Sequence, residues 1–75
     1  MSRPIEPHDL DDVFRYHQPT PEQEQAYLEV QAVMQQAAQT LLRHCPASTD
    51  RDHAMRQLRD ARMWANASIA LEGRY

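Results

Sequence analysis

Lysine is absent from the 75 residues, and glycine occurs once, as Gly73. Without them the chain has neither a glycine-rich phosphate loop with its lysine nor a dinucleotide fingerprint, and nucleotide-hydrolase readings fall. The single cysteine, Cys45, excludes an intramolecular disulfide and a CxxC zinc site, and points to a reducing compartment. No apolar run approaches the roughly 20 residues of a membrane span. The N-terminus also lacks the basic-then-apolar plan of a signal peptide, so no membrane partner is expected and the chain reads as cytosolic. Basic charge is short as well: eight arginines face eleven acidic residues, for a net charge of −3. That balance argues against DNA or RNA polymers as partners, because their binding rests on basic charge laid along a phosphate backbone.

The charge that is present is uneven. Residues 1–24 carry two arginines against six acids, whereas residues 25–75 carry six against five. An anion site would draw on the later part or on Arg15.

The pattern predicts an all-α single domain: a short N-terminal helix followed by an antiparallel helical hairpin. Residues 1–7, with Pro4 and Pro7, read as an extended arm. From His8 to about Tyr16, Leu10, Val13 and Phe14 fall at i, i+3 and i+4, with Asp9, Asp11 and Asp12 early, where the helix dipole favours acids. Pro19 and Pro21 break that helix. Thr20 starts the next one, with Pro21 at the first helical position and Gln23 closing a capping box. This first long helix, residues 21–45, carries Tyr27, Val30, Met34, Ala37, Ala38, Leu41 and Cys45 on one stripe until Pro46 ends it. At 1.5 Å per residue it is a rod of about 36 Å. The short connection Cys45-Pro46-Ala47-Ser48-Thr49 favours an antiparallel neighbour, capped by Ser48 or Thr49. The second long helix, residues 50–72, carries one stripe of Met55, Leu58, Ala61, Ala65 and Ile69 and another of Met63, Trp64, Ala67 and Leu71, and Gly73 stops it.

The first long helix also carries a weaker set off its stripe, Leu28, Ala32, Val33 and Leu42, and two long helices and a short one cannot hide two stripes on each long helix. A domain this small is also marginal alone, burying only roughly 60% of its unfolded surface. The excess apolar surface is therefore expected to meet other copies of the chain, as a homo-oligomer.

Candidate chemistry is sparse. His8, His17, His44, His53 and Cys45 are the soft ligands, and no pair has the i, i+4 spacing of a helical zinc site, so no metal is expected. Cys45 reads as a packed helix-end cysteine rather than a nucleophile, and Asp11 and Asp12 complement a helix dipole. No enzyme and no cofactor emerge. Arg51, Arg56, Arg59 and Arg62, interleaved with Asp52 and Asp60, form either a solvated face of weak i, i+4 pairs or, with Arg15, an anion grip. Tyr16 before His17 and two prolines offers an aromatic face on a stiffened loop, suited to packing or to stacking on a base. Asn66, in an apolar run, needs partners: it either fixes helix register across an interface or reads a ligand edge.

The stretch Phe14-Arg15-Tyr16-His17-Gln18-Pro19-Thr20, then Cys45-Pro46-Ala47-Ser48 with Arg51, and Met63-Trp64-Ala65-Asn66-Ala67-Ser68-Ile69-Ala70, resembles the small helical-hairpin domain of phage anti-CBASS cyclic-nucleotide sponges, shared with related anti-Thoeris sponges. The resemblance covers about residues 14–71. It implies a non-enzymatic binder that sequesters cyclic oligonucleotide immune messengers in the host cytoplasm. It also implies assembly as a hexamer, a trimer of interlocked dimers, with cyclic dinucleotides held between subunits and, in some members, cyclic trinucleotides in separate pockets. By position, Tyr16 matches the stacking tyrosine and His17 the polar residue after it. The family's basic phosphate contact falls near Gln31, a departure that leaves Arg15 or an arginine of another subunit to neutralise phosphate. The expected ligand-binding set is thus Arg15, Tyr16, His17, Gln31, Arg62 and Asn66. The competing reading from the residues alone is a helical oligomer that binds or inhibits another protein through its second apolar stripe.

Overall fold

A computed structural model describes residues 4–75, and the first part of the expected arm, residues 1–3, lies outside them. The described chain is all-helical. A 3-10 turn, Pro7–Asp9, leads into α1, Leu10–Phe14, and two long helices follow, α2, Pro21–His44, and α3, Thr49–Ala70. The opening helix, read from the sequence as one piece over residues 8–16, is thus a tighter turn followed by a shorter α-helix. Pro7 initiates the turn, and Asp9 closes it by accepting from the Glu6 amide at 2.9 Å; Asp9 is the one fully buried residue among those described.

The start of α2 is set locally. Thr20 Oγ1 accepts from the Gln23 amide at 3.1 Å, and the Thr20 amide donates to Gln23 Oε1 at 3.0 Å, with Pro21 preset for the first turn. At the other end Cys45 adopts extended geometry before Pro46, and its amide bonds the Leu41 carbonyl at 2.8 Å. Ser48 then caps α3: its Oγ accepts from the Arg51 amide and donates to the Pro46 carbonyl, both at 3.1 Å. Arg51 reaches back to donate to the Cys45 carbonyl at 3.2 Å, a cation at the negative end of α2. Arg51 Nε is buried there with no hydrogen-bond partner.

α2 and α3 run antiparallel. Gln23, in the first turn of α2, donates through Nε2 to the carbonyl of Ile69 near the end of α3 at 3.0 Å, while Arg51 and Cys45 meet at the opposite end. Tyr27, Val30, Met34 and Leu41 of α2 and Met55, Leu58 and Ile69 of α3 are half-buried along the seam. Ala61, expected on the same stripe, is exposed.

α3 stops earlier than residue 72. The Glu72 amide bonds the Ile69 carbonyl at 3.3 Å and the Gly73 amide bonds Ser68 at 3.0 Å, the paired bonds of a Schellman ending. Glu72, at φ 55°, therefore occupies the left-handed position that glycine ordinarily fills, with Gly73 one residue further on at φ 72°.

The single chain has no fully buried hydrophobic side chain among the described residues. Phe14, Tyr16, Leu28, Val33, Met63 and Trp64 all face outward, Phe14 at 80% and Trp64 at 69% exposure. Trp64 is therefore not core within one chain: α2 covers the seam side of α3 and leaves the indole on the far side. The molecule is an elongated body 47 Å long rather than a globule.

Candidate functional site

The loop between α1 and α2 is built to present side chains. Arg15 leaves α1 in extended geometry, its amide bonded to the Asp11 carbonyl at 3.1 Å, and Pro19 biases Gln18 the same way. His17 anchors the loop: its Nε2 lies 2.7 Å from the Asp12 carbonyl oxygen. A carbonyl only accepts, so Nε2 carries the proton and the His17 ring is fixed. Tyr16, between Arg15 and His17, is 77% exposed.

These three residues line an open surface hollow of about 430 Å³ together with Val13 of α1, Tyr27 of α2 and Asn66, Ala67, Ala70 and Leu71 of α3. That volume lies within the roughly 300–1,000 Å³ of small-molecule sites. The floor of alanines and leucine is apolar, while the polar groups sit around it. Asn66 Oδ1 is buried with no hydrogen-bond partner, an acceptor held out of water and left unsatisfied. An unpaired amide oxygen of this kind calls for a donor from a ligand or from another chain.

Four of the expected ligand residues, Arg15, Tyr16, His17 and Asn66, thus come together. The other two do not join them. Gln31 and Arg62 line a neighbouring hollow between α2 and α3 with Met34, Met55, Leu58 and Arg59. Gln31 lies one helical turn beyond Tyr27, and Arg62 one turn before Asn66, so the second hollow continues the first along the hairpin. A further hollow, bounded by Arg59, Asp60, Arg62, Met63 and Asn66, connects them. Among the described residues no ion pair joins Arg56 to Asp52 or Asp60, contrary to the i, i+4 pairing expected for this face, and Arg56 is exposed. The charges of Arg59 and Arg62 are likewise unneutralised within 4 Å among the described residues.

Sequence reasoning missed Tyr27, whose place on the apolar stripe gave it a packing role, and it missed the base of the loop. Asp12, read as a dipole-complementing acid, is half-buried and grips the C-terminal tail. Its Oδ2 accepts from Arg74 Nε at 3.1 Å and from the Tyr75 hydroxyl at 2.9 Å, and its Oδ1 accepts from Arg74 Nη2 at 3.2 Å. The Tyr75 hydroxyl, with help from Arg74, holds the Asp12 carboxyl below its ordinary value against the opposing effect of desolvation. Desolvation and the bond to Asp12 push the Tyr75 phenol up. Nothing local in the sequence signals a contact over this separation.

The arrangement can stack a planar ring on Tyr16, donate to an anion through Arg15, and meet a polar edge at Asn66. Among the described residues no group of three histidine, cysteine, aspartate or glutamate side chains is placed to hold a metal ion, and no helix is long and apolar enough to cross a membrane. Residues 6–70 match a family model described as Acb2/Tad1, hairpin domain. Comparisons with curated proteins and with solved structures find no match.

Proposed function

Because the chain belongs to the Acb2/Tad1 hairpin-domain family, the family of anti-CBASS and anti-Thoeris sponges, we propose that it binds and sequesters cyclic oligonucleotide messengers in the cytoplasm of the infected host. It does so without catalysis, as a homo-oligomer, in the hexameric arrangement of its family. The observation that carries this reading is the convergence of Arg15, Tyr16 and His17 on Asn66, whose buried Oδ1 has no partner. Each of these groups suits one part of a nucleotide: a ring face for the base, a guanidinium for the phosphate, and an amide for a base edge.

The exposed apolar surface supports the same reading. Tyr16 stands exposed at the hollow, and the outward apolar side chains Trp64, Met63 and Val33 are what further copies would cover. A cyclic dinucleotide is roughly two-fold symmetric, so an isologous dimer offers one Tyr16 to each base. Emptying a messenger pool needs a Kd near nanomolar, about −12 kcal/mol. Two stacked bases supply about 2–6 kcal/mol of that, and enclosure and phosphate contacts supply the rest.

Calorimetry with a panel of cyclic di- and trinucleotides, run beside native mass spectrometry, tests the proposal. A complex with at least one messenger that Tyr16→Ala weakens by about tenfold or more per stacked base is the expected result. No binding to any messenger by an intact oligomer would overturn it and favour the protein-binding alternative.

A further inference from the structure

Asp12 poses an electrostatic problem for an anion site. Its carboxylate stands at the base of the loop that carries Tyr16, and the cation nearest the hollow, Arg15, has Nη2 only 3.5 Å from Asp12 Oδ1. A bare carboxylate there would repel a phosphate and hold Arg15 to itself. The tail answers this. Arg74 engages both carboxylate oxygens, with an Nη2 to Oδ2 separation of 2.9 Å, and Tyr75 adds a hydroxyl donor to Oδ2. His17 Nε2, 3.9 Å from Oδ1, is committed to the Asp12 carbonyl. A bidentate guanidinium is the stronger claimant on a carboxylate, which leaves Arg15 loosely held and more exposed than Arg74, 60% against 39%. Arg74 also has the more exposed Glu72 carboxylate 3.8 Å from its Nη1, so with Asp12 and Arg74 paired the cation left lining the hollow is Arg15.

We infer that Arg74 is a positioning residue for ligand binding: by occupying Asp12 it releases Arg15 to meet the phosphate of a bound cyclic nucleotide. This rests on the reading of the Tyr16 hollow as a cyclic-nucleotide site. Asp12 and Arg15 lie within the matched residues 6–70, whereas Arg74 and Tyr75 lie beyond them, so the neutralising half of the pair comes from outside the matched stretch. The strength of anion binding is then set from the C-terminal tail, by a residue that need not touch the ligand.

A double-mutant cycle decides this. Binding of cyclic di-GMP, cyclic di-AMP and cyclic GMP–AMP is measured calorimetrically for wild type, Arg74→Ala, Asp12→Asn and the double variant, with helicity and oligomer mass checked for each. Arg74→Ala is expected to weaken binding about fivefold, the scale of one partly exposed ion pair. Arg74→Lys should recover part of the loss. In the Asp12→Asn background the same Arg74→Ala change should alter affinity by less than about twofold, since no carboxylate remains to capture Arg15. A tail that merely props the loop would behave differently: Asp12→Asn alone would weaken binding as much as Arg74→Ala, and that result overturns the inference. So does wild-type affinity in Arg74→Ala. If the wild-type chain binds none of the three nor any cyclic trinucleotide, the sponge reading itself falls and takes this inference with it.

Discussion

Gln23 joins the cap of α2 to Ile69 in the last turn of α3: its Oε1 accepts from the Thr20 amide while its Nε2 donates to the Ile69 carbonyl, each at 3.0 Å. One side chain thus closes the cap of α2 and fixes the last turn of α3 beside it. The two roles separate chemically, because a glutamate can close the box but cannot donate. Gln23→Glu should keep the helix start and lose the bond between helices, costing about 0.5–1.5 kcal/mol. Gln23→Ala loses both and should cost about 1–2 kcal/mol. Denaturant unfolding at one fixed protein concentration checks the order; equal losses in the two variants would show that closing the cap adds nothing, and no loss in Gln23→Glu would show that the bridge to Ile69 adds nothing.

How much of this was legible in the sequence depends on the reach of each signal. Thr20, Pro21 and Gln23 act within one turn, so the start of α2 follows from their order alone, and Pro46 after Cys45 marks its end just as locally. The hairpin is legible for the same reason. Asn66 stands out because a lone amide in an apolar run must be satisfied, and its unpartnered Oδ1 is that problem made visible. Asp12 carries no such signal: its partners lie 62 and 63 residues away, and a first-turn acid already has a local explanation. Gln31 and Arg62 line a hollow one turn away from the one that Tyr16 lines, a distance that spacing within each helix cannot set against a loop residue.

The end of α3 carries a correctable strain. Glu72 sits at φ 55°, where an L side chain is disfavoured, and Gly73 follows one position too late to relieve it. Glu72→Gly should stabilise the chain by about 0.5–1 kcal/mol, with only the exposed 3.8 Å contact to Arg74 lost in exchange. Thermal unfolding would register it as a higher Tm. An unchanged or lower Tm would mean that the freedom gained by the unfolded chain outweighs the strain relieved.

The clasp on Asp12 should respond to pH at both ends of the scale and not between. Asp12 is held below its ordinary value of 3.8, so its contribution is complete above that value and is lost as pH falls through the lowered one. Tyr75 is pushed above its ordinary 10.0, so its contribution is complete below that value and is lost as pH rises through the raised one. Nuclear magnetic resonance shifts of residues 72–75 should be flat from about pH 5 to 9 and move together outside that window. A transition inside that window would show that the Asp12 clasp does not govern the tail.

The expectation that a basic phosphate contact of the sponges falls near Gln31 is testable, because Gln31 lines one hollow with Arg59 and Arg62. If a bound cyclic dinucleotide extends from the Tyr16 hollow toward this one, a cation at Gln31 adds a phosphate contact that the glutamine supplies only as a neutral donor. Gln31→Lys should then tighten binding by about three- to tenfold at low salt, and the gain should shrink as ionic strength rises, because a partly exposed charge is screened. Calorimetry at two salt concentrations measures both. Affinity unchanged at either salt would confine the phosphates to Arg15 and to whatever arginine a neighbouring subunit brings. A gain that persists at high salt would instead mark the lysine as enclosed by the assembly, with its charge shielded from the solvent ions.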